Sequence, residues 1–454
     1  MVDLILVRTR NNPTRWVKKN SDSGSFSGRR MPPYGIMNIA SFVRQAGHSV
    51  KLFDLFKKEY FSLSTDAIAD EILSHKPRIV GISSMTSQSR DAMALGDSLS
   101  AKSDVPVVHG GVHASSLPEE ALKHGQIVVQ GDGEHCMRQM MSSEQIDLTN
   151  KILQGTPLTA EEMDSIPFPK KEDFDETAFD PLLDPHFPII TARGCPYRCV
   201  FCKDGFGLRS SKVRHHSVDY VIEFLDYIHK TYGFRKLIIL DDIFVSSAAR
   251  MEQMIVGLEE RNLKFKIQCQ VHANVVKPEL MNIMRNLGIE WVYIGIESGN
   301  EQILKNIRKN ITTERVRNAV HLLKEHGFYV GGMYMIGNIG ETPQTVNDTI
   351  RFAHALPTDR AWFSFAAPYP GTPFYEMVPQ YGRIVEPDFG KWNQVTLVYL
   401  PNDINKRDMN RLMRKAQIVR ILKKIRFTIF GYWIASLRRI SLKIQKKNTK
   451  EHAF

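Results

Sequence analysis

Cys195, Cys199 and Cys202 fall within eight residues, in the run Cys195-Pro-Tyr-Arg-Cys199-Val-Phe-Cys202, directly after Gly194 and at the end of an apolar stretch. An iron–sulfur cube has four irons and ordinarily takes four thiolates. A clip of three leaves one iron open to a further ligand, so the cluster becomes a reagent rather than a staple. A structural zinc site is the alternative for such thiols, but it asks for a fourth Cys or His, and His215 and His216 are the nearest candidates.

Other polar residues gather at the ends of short apolar runs. Leu240-Asp241-Asp242, Glu297-Ser298-Gly299, Met335-Ile336-Gly337 and Gly340-Glu341-Thr342 follow the cysteines. Ser83-Ser84, His109-Gly110-Gly111 and Gly131-Asp132-Gly133-Glu134 precede them. A carboxylate in a partly dry pocket pairs well with a ligand cation, and glycine lets backbone approach a ligand closely. Taken alone, each glycine pair is equally compatible with a plain turn.

The C-x3-C-x2-C spacing, with Phe201 just before the last cysteine, resembles the signature of the radical S-adenosylmethionine (SAM) superfamily. That resemblance implies a 4Fe-4S cluster on the three cysteines whose open iron chelates SAM, and one-electron cleavage of SAM to methionine and a 5′-deoxyadenosyl radical. It also implies SAM contacts from Phe201, Asp241, Asp242, Glu297, Ser298, Gly337 and Glu341. Ile339 stands where the family usually has proline, which implies a looser loop there.

Ser83, followed 27 residues on by Gly110-Gly111, resembles the cobalamin-binding domain at the front of many such enzymes. The resemblance implies that Ser83, Ser84, Gly110, Gly111 and Gly131 surround cobalamin. The Asp-x-His-x-x-Gly motif that supplies a lower axial histidine is missing from the first 60 residues. A cobalt without that ligand is expected to favour the four-coordinate cobalt(I) state and to release a methyl group readily as a radical.

The elements that must position these residues read as α/β. Candidate strands at 4–7, 50–53, 79–83, 105–108 and 127–129 alternate with helices at 36–46 and 68–74. This rhythm predicts a doubly wound, Rossmann-like sheet over 1–150 with its ligand at the strand carboxyl ends. A proline-rich, acidic linker occupies 151–188. Strands at 187–192, 236–240, 265–271, 291–296, 330–336 and 361–366 predict a partial (β/α)6 barrel over 189–380, and 381–454 is expected to be a helical, basic region.

The chain has 454 residues, 43% hydrophobic and 24% charged, enough for two or three packed domains. No run approaches the ~20 apolar residues of a membrane span, and no signal peptide is evident. Cys136 and Cys269 read as buried thiols, so a cytoplasmic setting is expected. The net charge of +11 is concentrated at the end, where 406–450 holds fifteen Lys and Arg against one Asp. These are interleaved with Ile425, Phe427, Ile429, Phe430, Trp433, Ile434 and Leu437, which suits a docked helix or a membrane-surface helix and argues against nucleic acid.

Together the two resemblances imply a radical SAM methyltransferase that methylates an unactivated carbon or phosphorus centre; no motif names the substrate, expected to be a small molecule, and the apolar, basic tail suits a lipid-like one. They also imply an electron donor such as flavodoxin or ferredoxin. Cyclisation or rearrangement without methyl transfer is the alternative outcome of the same layout. An iron–sulfur regulatory protein is a third reading.

Overall fold

The computed structural model describes residues 2–10, 31–143, 151–182, 185–203, 212–245 and 247–451, with side chains to residue 429. Residues 144–150 of the expected front domain lie outside the described residues, as do the side chains of Phe430, Trp433, Ile434 and Leu437.

Leu4, Ile5, Leu6 and Val7 are all buried, the continuous apolar run required of a strand covered on both faces. That strand, β1 (Leu4–Arg8), is flanked by β2 (Val50–Asp54) and β3 (Ile79–Ser83). With β4 (Val107–Gly110), β5 (Ile127–Gln130) and β6 (Lys151–Gln154) they make one parallel sheet, in the order β2-β1-β3-β4-β5-β6. The order reverses at β1, which has β2 on one side and β3 on the other. Such a reversal opens a crevice outside the carboxyl ends of the strands, and Arg8 and Ser83 sit side by side there.

β6 corrects the sequence expectation, which gave 151–188 wholly to a linker. Lys151–Gln154 pairs in register with Ile127–Gln130 and extends the front sheet by one strand.

The second sheet is built from β7 (Phe187–Ile189), β10 (Lys236–Ile239), β11 (Lys266–Val271), β12 (Ile289–Glu297), β13 (Tyr329–Ile336) and β14 (Arg360–Phe365). All its pairings are parallel and strictly sequential, and β7 does not close onto β14, so the barrel is partial. The apolar run 187–192, expected as one strand, divides. Asp241 takes both the Thr191 N–H at 2.6 Å and its hydroxyl at 2.5 Å. The chain then continues as β8 (Ala192–Arg193), paired antiparallel with β9 (Arg214–His215).

One hydrophobic core runs through both units, from Leu6 and Met37 to Phe187, Ile294 and Trp392. Tyr34, buried at the start of the helix Tyr34–Gln45, donates its hydroxyl to the Pro188 carbonyl on β7 at 2.5 Å and ties the sheets together. The region 381–454 is not helical throughout. It opens with an antiparallel ribbon, β15 (Gly382–Ile384) with β16 (Tyr399–Pro401), before the helix Lys406–Glu451.

Candidate active site

The cysteine loop leaves β8 through Gly194, whose φ of +98° only glycine adopts freely. Its middle is pinned to the barrel: the Val200 N–H donates to Ile307 O and the Phe374 N–H to Val200 O, both at 3.0 Å. Cys199 is buried, while Cys195 and Cys202 are partly exposed, and none is in a disulfide. Tyr197, between the first two cysteines, stacks on His272 with ring centres 3.7 Å apart. Among the described residues no three His, Cys, Asp or Glu side chains converge on one point, as a single tetrahedral ion would need. A cube instead spreads its thiolates over different irons. His216 is engaged elsewhere, by Asp164 at 2.9 Å and in a stack with Tyr220.

β12 ends in a register shift at Gly295 to Glu297, and Glu297 adopts φ +66°, a left-handed conformation rare for a side-chain-bearing residue. The strained turn delivers its carboxylate to Lys309, whose ammonium donates to Oε1 at 2.9 Å. A Cβ on Gly295 would lie 2.7 Å from that oxygen and 2.9 Å from the lysine nitrogen, so glycine makes room for the pair. Burial works against the lysine's charge, but Glu297 and the thiols of Cys199 and Cys202 outweigh it and raise its pKa. Burial pushes the Cys199 thiol up, and Lys309 opposes it. The Phe201 ring centre lies 5.8 Å from the same ammonium. Two of the three thiols, Cys199 and Cys202, lie within the field of a buried cation, which suits a cluster that gathers negative charge, so these residues fit the cluster.

The other SAM candidates divide. Asp242 lines a cavity between the sheets. Asp241 is buried and committed to Thr191, and burial raises its pKa to about 6. Ser298 is buried against Thr349, hydroxyl to hydroxyl at 3.0 Å. Glu341 accepts the N–H groups of Gly337 and Asn338 at 2.5 and 3.1 Å and shapes the turn after β13, where Gly337 has φ +93°. Burial pushes Glu341 to about 7, and its second oxygen and the Asn338 side-chain oxygen are buried without a hydrogen-bond partner in the structure.

The cavity has a volume of about 580 Å³. Ser83, Ser84, Gly110, Gly111 and Gly131 all line it, with Tyr34 and Gly35, and the barrel contributes Ile190, Ala192, Arg193, Leu240 and Asp242. Gly111 has φ +84°, and a Cβ there would lie 2.8 Å from the Ser83 hydroxyl and 2.9 Å from the Ser84 backbone. A cradle so close to bare backbone fits a large flat cofactor tail. No histidine is among its described lining residues.

Several residues of this region escaped the sequence expectations. Lys309 is not among the expected site residues. Arg193 and Lys203, at either end of the cysteine loop, bond to the front sheet: Arg193 to Glu134 at 2.8 Å, and Lys203 to the Val112 carbonyl at 3.1 Å and to the Ser116 hydroxyl. A basic residue on each side of a ligand loop was the available signal, but spacing alone does not name partners so distant in the chain.

A family model for the radical SAM superfamily matches residues 189–353, and one for the B12 binding domain matches residues 26–140. An uncharacterized methyltransferase of Pyrococcus horikoshii is 30% identical over 411 residues, spanning 86% of this chain and 88% of the relative. The anaerobic magnesium-protoporphyrin IX monomethyl ester cyclase of Rubrivivax gelatinosus is 23% identical, over 83% of this chain and 71% of its own. The radical SAM methyltransferase TsrM of Kitasatospora setae, solved with cobalamin and a [4Fe-4S] cluster, shares the fold with a TM-score of 0.69 at 14% identity, covering 92% of this chain and 89% of that one.

Proposed function

The chain belongs to the radical SAM superfamily, in the branch that carries a B12-binding domain in front of the barrel, and from that premise we propose that it methylates an unactivated carbon or phosphorus centre of a small molecule. The observation that carries the reading is the cavity between the sheets, lined by the cobalamin-type glycines on one side and by the entry to the cysteine loop on the other. When bound, the cluster with SAM supplies a hydrogen-abstracting radical, and cobalamin supplies the methyl group. The 30% identical relative, named a methyltransferase, favours methylation over cyclisation.

The chain's own residues hold and shield these groups. Cys195, Cys199 and Cys202 bind the cluster, with the Lys309 ammonium balancing its charge and Glu297 fixing that ammonium. Asp242 lines the barrel side of the shared cavity. The glycines at 110, 111 and 131 admit cobalamin, and the packed walls exclude water from the radical. The direct test is anaerobic reconstitution: the reduced protein cleaves SAM to 5′-deoxyadenosine and methionine, and Cys199→Ala does not. Equal cleavage by that variant would contradict the assignment.

The electron donor is an acidic carrier of the flavodoxin or ferredoxin type. What supports it is an open groove of about 760 Å³ beside the cysteine loop, lined by Arg198, Lys305 and Arg308 among others. All three are exposed, and none forms an ion pair with a described residue. Arg308 takes φ +51°, a left-handed backbone costing about 1–2 kcal/mol, and the next residue, Lys309, is buried against Glu297.

The C-terminal helix has two faces. Met409, Leu412, Ala416 and Val419 are buried, and Phe427 packs edge-on against Trp291 and Tyr329. Opposite them, Ile418, Ile421, Leu422, Ile425 and Ile429 are 48% to 59% exposed, among exposed Arg414, Lys415, Lys424 and Arg426. An apolar stripe rimmed by cations suits an anionic lipid surface. No helix among the described residues is long and apolar enough to cross a membrane; an enzyme resting on the membrane surface, with a lipid-like substrate, fits this face.

A further inference from the structure

The cysteine loop is held at both ends by the front sheet, and by the two turns of that sheet that line the cobalamin cavity. One residue, Gly194, separates Arg193 from Cys195, and Lys203 directly follows Cys202. Arg193 donates to Glu134 at 2.8 Å and lies 3.7 Å from Asp132, with side-chain exposures of 13%, 4% and 10%. Arg214, its cross-strand neighbour in β9, donates to the same Asp132 at 3.0 Å. These acids belong to the Gly131–Glu134 turn after β5. At the other end, Lys203 holds the Val112 carbonyl and the Ser116 hydroxyl, in the short helix that Gly111 begins. The two glycine turns that would touch cobalamin are therefore the anchors of the loop that would hold the cluster.

We propose that Arg193 and Lys203 are positioning residues that couple the two cofactor sites, so that a filled cobalamin cavity sets the cluster loop and a formed cluster sets the cavity. The inference rests on the cofactor assignment above and adds the coupling to it. The physical basis is simple. A buried ion pair stabilises little but specifies geometry, and losing one partner leaves a costly unpaired charge. A shift of the Gly131–Glu134 turn therefore bears on Arg193, two residues before Cys195. Coupling between two binding sites is reciprocal, and it multiplies both affinities by one factor.

The test titrates hydroxocobalamin into the full chain, with and without the reconstituted cluster, and follows binding by visible absorbance. The wild-type protein is expected to bind about tenfold more tightly with the cluster in place. Lys203→Met removes one anchor, and the double change Arg193→Gln with Glu134→Gln replaces the other by a neutral pair. Each is expected to bring the affinity ratio towards one while still carrying about four irons per chain. A wild-type ratio near one overturns the inference without any variant, as does an unchanged ratio in both variants. Binding in neither form overturns it together with the cobalamin assignment.

Discussion

Lys309 and Glu297 form an ion pair of 2.9 Å whose side chains are 10% and 12% exposed, beside the cysteine loop. Glu297 reaches it from a bulged strand end at φ +66°. Strain of this kind persists only where the surroundings impose it, and it gathers at functional sites. The pair joins the last turn of β12 to the thiols, so the carboxylate assigned to SAM acts here first on a lysine.

Replacing that lysine leaves a buried carboxylate alone. Lys309→Met is expected to lose about 3–5 kcal/mol of unfolding free energy, measured by urea denaturation of the cluster-free chain. The double variant Lys309→Met with Glu297→Gln recovers most of it. A single variant as stable as the wild type would show that the pair is solvated.

Gly111 tests the cavity. An alanine there meets the Ser83 hydroxyl at 2.8 Å and must hold φ +84°, a strain of about 1–3 kcal/mol. Gly111→Ala is expected to weaken hydroxocobalamin binding at least about tenfold, while the iron content stays at that of the wild type. Unchanged affinity would place cobalamin elsewhere.

Charge reversal tests the groove beside the loop. Arg198→Glu with Arg308→Glu is expected to slow cluster reduction by flavodoxin by about tenfold or more at low salt. Reduction by dithionite should be unchanged. Equal slowing with both reductants would mean that the cluster itself was disturbed, and no slowing would move the docking surface.

The exposed helix face is expected to sediment the protein with vesicles containing phosphatidylglycerol, and not with purely zwitterionic ones. Ile421→Asp with Ile425→Asp should at least halve the bound fraction. Binding that survives these changes, or that is absent from the start, would leave the stripe without a lipid partner.

Most of the architecture was legible because parallel strands are apolar throughout and end in small or charged residues. The Ile79–Ser83 strand and the Cys195–Cys202 loop follow directly from such local patterns. β6 was not legible: four residues, Lys151-Ile152-Leu153-Gln154, carry no period long enough to distinguish a strand from a linker. Nor was the fate of Asp241, which looks like a ligand in sequence and is spent on Thr191, 50 residues away. The anchors of the cysteine loop join residues 59 and 91 apart. Only tertiary packing, which spacing does not encode, brings them together.

The central claim, methyl transfer by a cobalamin-dependent radical SAM enzyme, is tested most directly with methyl-labelled SAM. The protein, loaded with cluster and cobalamin and reduced, is incubated with a protein-free cell extract as the source of substrate. The account predicts label on a product, with S-adenosylhomocysteine and 5′-deoxyadenosine formed in equal amounts. Deoxyadenosine without S-adenosylhomocysteine, and no labelled product, would contradict it.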